Sequence, residues 1–159
     1  MTKKADLAHW LAFLLPLGLL AGAYISQYIG GLYPCEMCWW QRYPHFEALA
    51  LSFIAFFVSN PSYRKALVAL AALGIASSGL IGGFHAGVEY GWWEGLTACT
   101  ATISGSGDDL LKSIMNAPLV RCDVAPWTLF GISLAGYNFL LSFGGAILIL
   151  GLIWRSKKI

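Results

Sequence analysis

Residues 66–88 read ALVALAALGIASSGLIGGFHAGV, a run without a single formal charge. An α-helix rises about 1.5 Å per residue, so about 20 apolar residues cross a bilayer core of about 30 Å. This segment has that length. Two more uncharged runs lie on either side of it, from Leu7 to about Ile29 and from Trp127 to Trp154. A fourth apolar stretch, from about Trp40 to Val58, carries Arg42 and Glu47. An unpaired backbone group in hydrocarbon costs several kcal/mol, and a helix satisfies its own. The expected architecture is therefore an all-α membrane protein, a four-transmembrane-helix bundle forming one integral membrane domain over residues 1–159.

Composition agrees with that reading. Of the 159 residues, 58% are hydrophobic and 11% charged. A soluble chain of this size has too little interior to bury so much apolar surface, so a lipid bilayer is the expected solvent. The net charge is only +2, and the ten Lys and Arg residues form no stripe that could follow a phosphate backbone. Nucleic acid is excluded as a partner on that ground.

Four spans place both termini on one side. Lys3, Lys4, Arg64, Lys65, Arg155, Lys157 and Lys158 all flank the spans on that side. Basic flanks mark the cytoplasm, so both termini are expected there. Outer loops of about 30–39 and 91–126 then face the opposite compartment and hold all four cysteines, Cys35, Cys38, Cys99 and Cys122. Disulfides persist in that compartment. Tyr28, Tyr33, Trp39, Trp40, Tyr90, Trp92, Trp93 and Trp127 mark the same outer interface. Within the second outer loop, Leu110, Leu111, Ile114 and Met115 recur at helical spacing after Asp108 and Asp109. A short interfacial helix is expected there, ended by Pro118.

Cys35, Glu36, Met37 and Cys38 form a CxxC at the outer mouth of the second span. That spacing serves an exchangeable disulfide, a structural bridge or half a zinc site. Arg42 lies four residues beyond Cys38, where a helix already begun by Cys38 would bring the guanidinium to the face of that sulfur and favour a thiolate. Pro44 is compatible with a helix start in its neighbourhood. The alternative for Arg42 is an interfacial cation paired with Glu47. His85 lies near the outer end of the third span, about one turn from Glu89. It reads either as a packing residue or as a proton source, since imidazole titrates near neutrality.

Cys99 and Cys122 bracket 22 residues. A bridge between them would contribute about 3.5 kcal/mol in the chain-entropy model, and a Gly/Ser-containing loop would leave it open to an incoming thiolate. With one CxxC and a widely spaced second pair, no metal site is expected. Gly79, Gly83 and Gly87 recur every fourth residue and predict a close helix contact. Pro16 is expected to kink the first span, and Asn138 to bond across to a neighbouring helix.

The chain resembles the DsbB family, the disulfide bond formation protein B of bacterial inner membranes, over nearly its whole length. The resemblance rests on Cys35-Glu36-Met37-Cys38 followed by Trp39-Trp40-Gln41-Arg42, and on the His85 region before Cys99. It extends to Cys122-Asp123 followed by Trp127, Leu129, Gly131, Ser133, Leu134, Gly136 and Asn138. Gln41 stands where some members carry an acidic residue.

The resemblance implies a thiol:quinone oxidoreductase in the bacterial inner membrane with its cysteine loops in the periplasm. Cys35 and Cys38 would face a membrane quinone, ubiquinone or menaquinone, with Arg42 and His85 binding it. Cys99 would be attacked by a periplasmic DsbA-like thiol oxidase, Cys122 would pass the electrons to Cys35, and Cys38 would release them to the quinone pool. Two other readings stay open: a tetraspan structural membrane protein braced by disulfides, and a vitamin K epoxide reductase-like enzyme, whose quinone-side pair comes late in the chain.

Overall fold

The computed structural model describes residues 3–96, 107–108, 115 and 120–156. Among them, four long helices carry the fold: α1 (Lys3–Tyr28), α2 (Glu36–Phe57), α3 (Pro61–Glu89) and α4 (Leu134–Arg155). Helices α1, α3 and α4 are long and apolar enough to cross a membrane. Helix α2 has the length but not the apolarity. Gln41, Arg42, His45 and Ser52 are all on its buried side. Large apolar side chains such as Leu14, Phe53, Leu73, Leu80, Leu140 and Ile147 point outward, the pattern of a bundle whose surroundings are as apolar as its interior.

Small residues decide how the helices meet. Helix α3 packs against α2 and α4, and α1 closes on α2 and α4. The core at one end joins Ala8, Ala12, Ala48, Ala55, Ala71, Ala72 and Ala146 with Val68, Ile75, Ile149 and Ile153. The expected glycine face is present. A Cβ on Gly79 would lie 2.9 Å from the backbone nitrogen of Phe143, and one on Gly83 would lie 2.9 Å from the Phe139 ring. Gly87 instead admits the indole of Trp93, whose Nε1 donates to the Phe84 carbonyl at 2.9 Å.

The helix ends follow local chemistry. Asn60 caps α3, its side chain accepting from the backbone nitrogens of Ser62 and Tyr63, with Pro61 in the first turn. The apolar stretch that begins at Trp127 becomes helical only at Leu134. Before it, β1 (Thr128–Leu129) pairs antiparallel with β2 (Ile132–Ser133). The two-residue turn holds Phe130 and Gly131 at positive φ, the geometry of a tight hairpin. The Tyr90 hydroxyl donates to the Gly131 carbonyl and accepts from the Ser133 nitrogen, both at 3.0 Å, and so pins the hairpin to the end of α3. Ser133 then caps α4.

Pro44 does not mark a helix start. Helix α2 begins at Glu36, and Pro44 lies inside it, as Pro16 lies inside α1. A proline ring in a helix interior frees carbonyls of the preceding turn. The carbonyl that loses its donor to Pro44 is that of Trp40, and next to it the Gln41 carbonyl accepts from the Ser78 hydroxyl at 2.7 Å across the α2–α3 contact. The interfacial helix expected from Asp108 falls almost wholly outside the described residues, and so does Cys99.

Candidate redox site

The start of α2 builds the first half of the site. Cys35 is its N-cap, with the backbone extended and Sγ accepting from the Cys38 nitrogen at 3.3 Å. Unpaired N–H groups at a helix N-terminus carry partial positive charge, so both sulfurs stand where a thiolate is favoured. The two sulfurs are 3.0 Å apart and share a hydrogen bond. That bond, reinforced by burial, pushes the Cys35 thiol up. The same bond pushes Cys38 down, with help from the Arg42 guanidinium. Of the two sulfurs, Cys38 is therefore the one better placed to hold negative charge.

Arg42 is buried. It does not pair with Glu47: its guanidinium donates to Gln27 Oε1 at 2.7 Å and to the Ala23 carbonyl at 3.3 Å, both on α1. It also stacks 4.8 Å from the Tyr24 ring and 4.9 Å from the Trp39 ring. Two ring faces and two acceptors orient the cation without neutralising it.

Behind the cysteines lies a polar network. Gln41 Nε2 must donate to the Met37 carbonyl at 3.1 Å, so the same amide nitrogen donates to His85 Nδ1 at 2.8 Å. The proton of His85 is then on Nε2. That nitrogen donates to the Cys122 carbonyl at 3.2 Å and lies 3.6 Å from Cys35 Sγ and 3.8 Å from a Glu89 carboxylate oxygen. Asn138 Nδ2 donates to Gln41 Oε1 at 2.9 Å and to Ser78, and Asn138 Oδ1 accepts from Ser142 and His45. The cross-helix bond expected of Asn138 therefore exists, and it ties α4 to α2 and α3.

Cys122 is fully buried in a cluster with Cys35, Met37 and Val88. The Cys35 sulfur, the Cys122 sulfur and a His85 ring nitrogen all lie within 4.8 Å of one another. These groups have the spacing of a metal triad, yet the tautomer fixed by Gln41 puts a proton on Nε2 and removes the lone pair a metal would need there. The arrangement suits sulfur-to-sulfur exchange between Cys122 and Cys35, with the His85 N–H beside the Cys35 sulfur. Beyond it, Arg121 and Asp123 form an exposed ion pair with Nε to Oδ1 at 2.8 Å, which holds the Asp123 carboxyl below its usual range.

On the other side of the CxxC a cavity of about 250 Å³ opens between α1, α2 and α4. Its wall is mostly apolar, with Gly18, Leu19, Leu20, Gly22 and Ala23 along α1. Its polar groups include Cys38, Gln41, Arg42, His45, His85, Glu89 and Asn138. Gly18 and Gly22 border open space, where an added Cβ meets nothing within 4 Å. Cys35 does not line it. The CxxC thus divides its work: Cys35 faces Cys122, and Cys38 faces the cavity.

The family model for disulfide bond formation protein DsbB matches residues 5–152. The chain belongs to the DsbB family. Among curated relatives, the Disulfide bond formation protein B of Albidiferax ferrireducens is 33% identical over 152 residues, covering 87% of this chain and 82% of its own. That of Marinobacter nauticus is 27% identical over 162 residues, covering 93% of this chain and 90% of its own. An uncharacterized protein of Rickettsia prowazekii is 28% identical over 143 residues, covering 87% and 81%. No solved structure matches the chain significantly. DsbB membership and three membrane-length apolar helices agree that this is a membrane protein of disulfide bond formation.

Of the residues singled out from sequence, Cys35, Cys38, Arg42, His85 and Cys122 converge on this site, whereas Cys99 lies outside the described residues. His85 has both nitrogens engaged by protein groups, which makes it a link between the two halves of the site. Gln27 and His45 are functional candidates that sequence reading passed over, and Gln41 and Glu89 are ones to which it gave no role. The available signal was their polarity within or beside membrane-length helices.

Proposed function

We propose that the chain is a thiol:quinone oxidoreductase of the bacterial inner membrane that reoxidises a periplasmic DsbA-like dithiol oxidase. In this reading α2 spans the membrane as the fourth helix, both termini are cytoplasmic, and the cysteine loops face the periplasm. The observation that carries the proposal is the position of the CxxC between two partners. The Cys35 sulfur is within 4.8 Å of the Cys122 sulfur, and Cys38 lines a cavity with Arg42.

A thiolate of the reduced partner attacks Cys99 of a Cys99–Cys122 disulfide and releases the Cys122 thiolate. Cys122 attacks Cys35 of the Cys35–Cys38 disulfide, and Cys38 leaves as a thiolate. Low basicity makes Cys38 the better leaving group. His85 Nε2–H stands beside both sulfurs of that exchange, and Arg42 and the α2 N-terminus stabilise the charge left on Cys38. The partner's second thiol then displaces Cys99 and closes the partner's own disulfide, and Cys99 attacks Cys122, restoring the Cys99–Cys122 disulfide and freeing Cys35 as a thiol.

The cavity residues fit a quinone. Its apolar α1 wall suits a flat ring, and Arg42 supplies a cation within reach of a carbonyl oxygen. Because His45 Nε2 donates to Asn138, its buried Nδ1, with no protein partner among the described residues, is an acceptor, suited to a quinol hydroxyl and not to a quinone carbonyl. A quinone bound there supplies a two-electron, two-proton acceptor dissolved in the bilayer. Gln27, Tyr24 and Trp39 keep Arg42 in place beside Cys38.

The test is quinone reduction by the purified protein with a reduced DsbA-like partner, followed by absorbance for ubiquinone and menaquinone analogues. Loss of quinone that vanishes in Cys38→Ser supports the proposal. Wild-type turnover in that variant, or disulfides inert to partner and quinone alike, contradicts it.

A further inference from the structure

Glu89, the last residue of α3, has no role in the relay described above, yet its surroundings are those of a reacting group. Its side chain is only 2% exposed and lines the same cavity as Cys38 and Arg42. Its neighbours come from each element packed around it: His85 Nε2 at 3.8 Å on its own helix, the Ser133 hydroxyl before α4, and Cys38 on α2. Arg42 shares the cavity but forms no ion pair with Glu89 among the described residues. One carboxyl oxygen, Oε2, is buried without a hydrogen-bond partner among the described residues. Burying an ionised carboxylate without a cation costs far more than burying the neutral acid, so this carboxyl is most stable holding its proton.

We propose that Glu89 donates a proton to the ligand reduced in this cavity and is a catalytic residue of that step. The inference rests on the quinone-reducing reading above. Closing the Cys35–Cys38 disulfide from a Cys35 thiol and a Cys38 thiolate breaks one S–H bond, forms one S–S bond and releases two electrons and one proton; the second proton is the one that the partner's dithiol gave up when Cys38 left as a thiolate. Reducing one quinone to its quinol consumes two electrons and two protons and forms two O–H bonds. Glu89 gives one proton to a ligand oxygen and recovers one of the two released by the thiols, so the carboxyl is unchanged over the cycle. A general acid positioned in this way contributes about 10²-fold or more to rate.

The experiment compares wild type, Glu89→Gln and Glu89→Asp with dithiothreitol as dithiol and ubiquinone-1 as acceptor. Glu89→Gln is expected to lower kcat about 10²-fold with KM little changed. Wild-type kcat falls as pH rises through the deprotonation of Glu89, and that limb is absent in Glu89→Gln. Glu89→Asp keeps an acid and so keeps the limb, with an intermediate kcat. Independently of turnover, the infrared difference spectrum on adding ubiquinone-1 shows a protonated-carboxyl band that Glu89→Gln lacks. Quinone reduction that survives Glu89→Gln with an unchanged pH profile, equal rates in the Gln and Asp variants, or no such band overturns this inference alone. Failure of the wild type to reduce quinone overturns the underlying reading as well.

Discussion

Replacing Gln41 with Leu tests the network behind the cysteines. The variant removes the side-chain bonds to Met37, His85 and Asn138 but leaves Asn138 Nδ2 its bonds to Ser78. Only His85 Nδ1 loses its side-chain donor. Two ordinary bonds and one orphaned acceptor are together worth about 2–6 kcal/mol by soluble-protein values. Cross-helix bonds in membrane proteins average only about 0.6 kcal/mol, so the lower end applies and about 2 kcal/mol is expected. Denaturant unfolding in detergent micelles measures that loss. The second readout is the His85 tautomer by nitrogen NMR: wild type carries its proton on Nε2, and Gln41→Leu populates Nδ1–H as well. Gln41→Glu, once ionised, draws the proton to Nδ1. If Nε2–H remains the sole form in Gln41→Leu and stability is unchanged, Gln41 does not set the tautomer, and the account of His85 fails.

Cys38 in the reduced protein should be alkylated by iodoacetamide with a pH midpoint below that of an ordinary thiol, and Cys35 with one above it. Because thiolate is the reactive form, Cys38 reactivity persists as pH falls toward its lowered pKa, and Arg42→Met moves its midpoint upward. Coinciding midpoints would refute the division between the two sulfurs. Gly79→Leu forces a side chain against the Phe143 backbone and should destabilise the bundle by about 1–3 kcal/mol or more in denaturant unfolding. Gly22→Leu projects into open space, so it should leave stability within about 0.5 kcal/mol while raising the KM for ubiquinone-1, because its side chain occupies the cavity. Unchanged KM would show that the ligand enters elsewhere.

Much of the fold was legible because lipid imposes a simple rule on sequence. The uncharged runs in α1, α3 and α4 stand out at once, and the Gly79 and Gly83 spacing marked the α3–α4 contact. Helix α2 was harder to read. Its polar residues lower its apolarity because they build the site, so the element of greatest chemical interest gives the weakest membrane signal. Pro44 misled in the same way: a proline that suits a helix start is also tolerated inside a helix of membrane length. The hairpin before α4 left little trace, since strands of two residues are too short to show alternation.

The site divides along similar lines. Cys35, Cys38 and Arg42 were visible because they are close in sequence. Gln41, His45 and Glu89 had no partner legible in the sequence, Asn138 was expected only to bond some neighbouring helix, and three-dimensional contact gathers all four around one cavity. The pairing of Cys35 with Cys122 is a long-range contact across 87 positions of sequence, which spacing alone cannot rank against the other pairings of four cysteines.

The most direct test of the relay is to trap its central bond. In the double variant Cys38→Ser, Cys99→Ser, the remaining cysteines are Cys35 and Cys122, their sulfurs within 4.8 Å of each other. Mild oxidation in native membranes should link them in a disulfide, identified by peptide mass mapping and reversed by dithiothreitol. If Cys35 and Cys122 remain free thiols under conditions that oxidise Cys35 and Cys38 in the otherwise unchanged protein, electrons do not pass between them, and the relay proposed here is wrong.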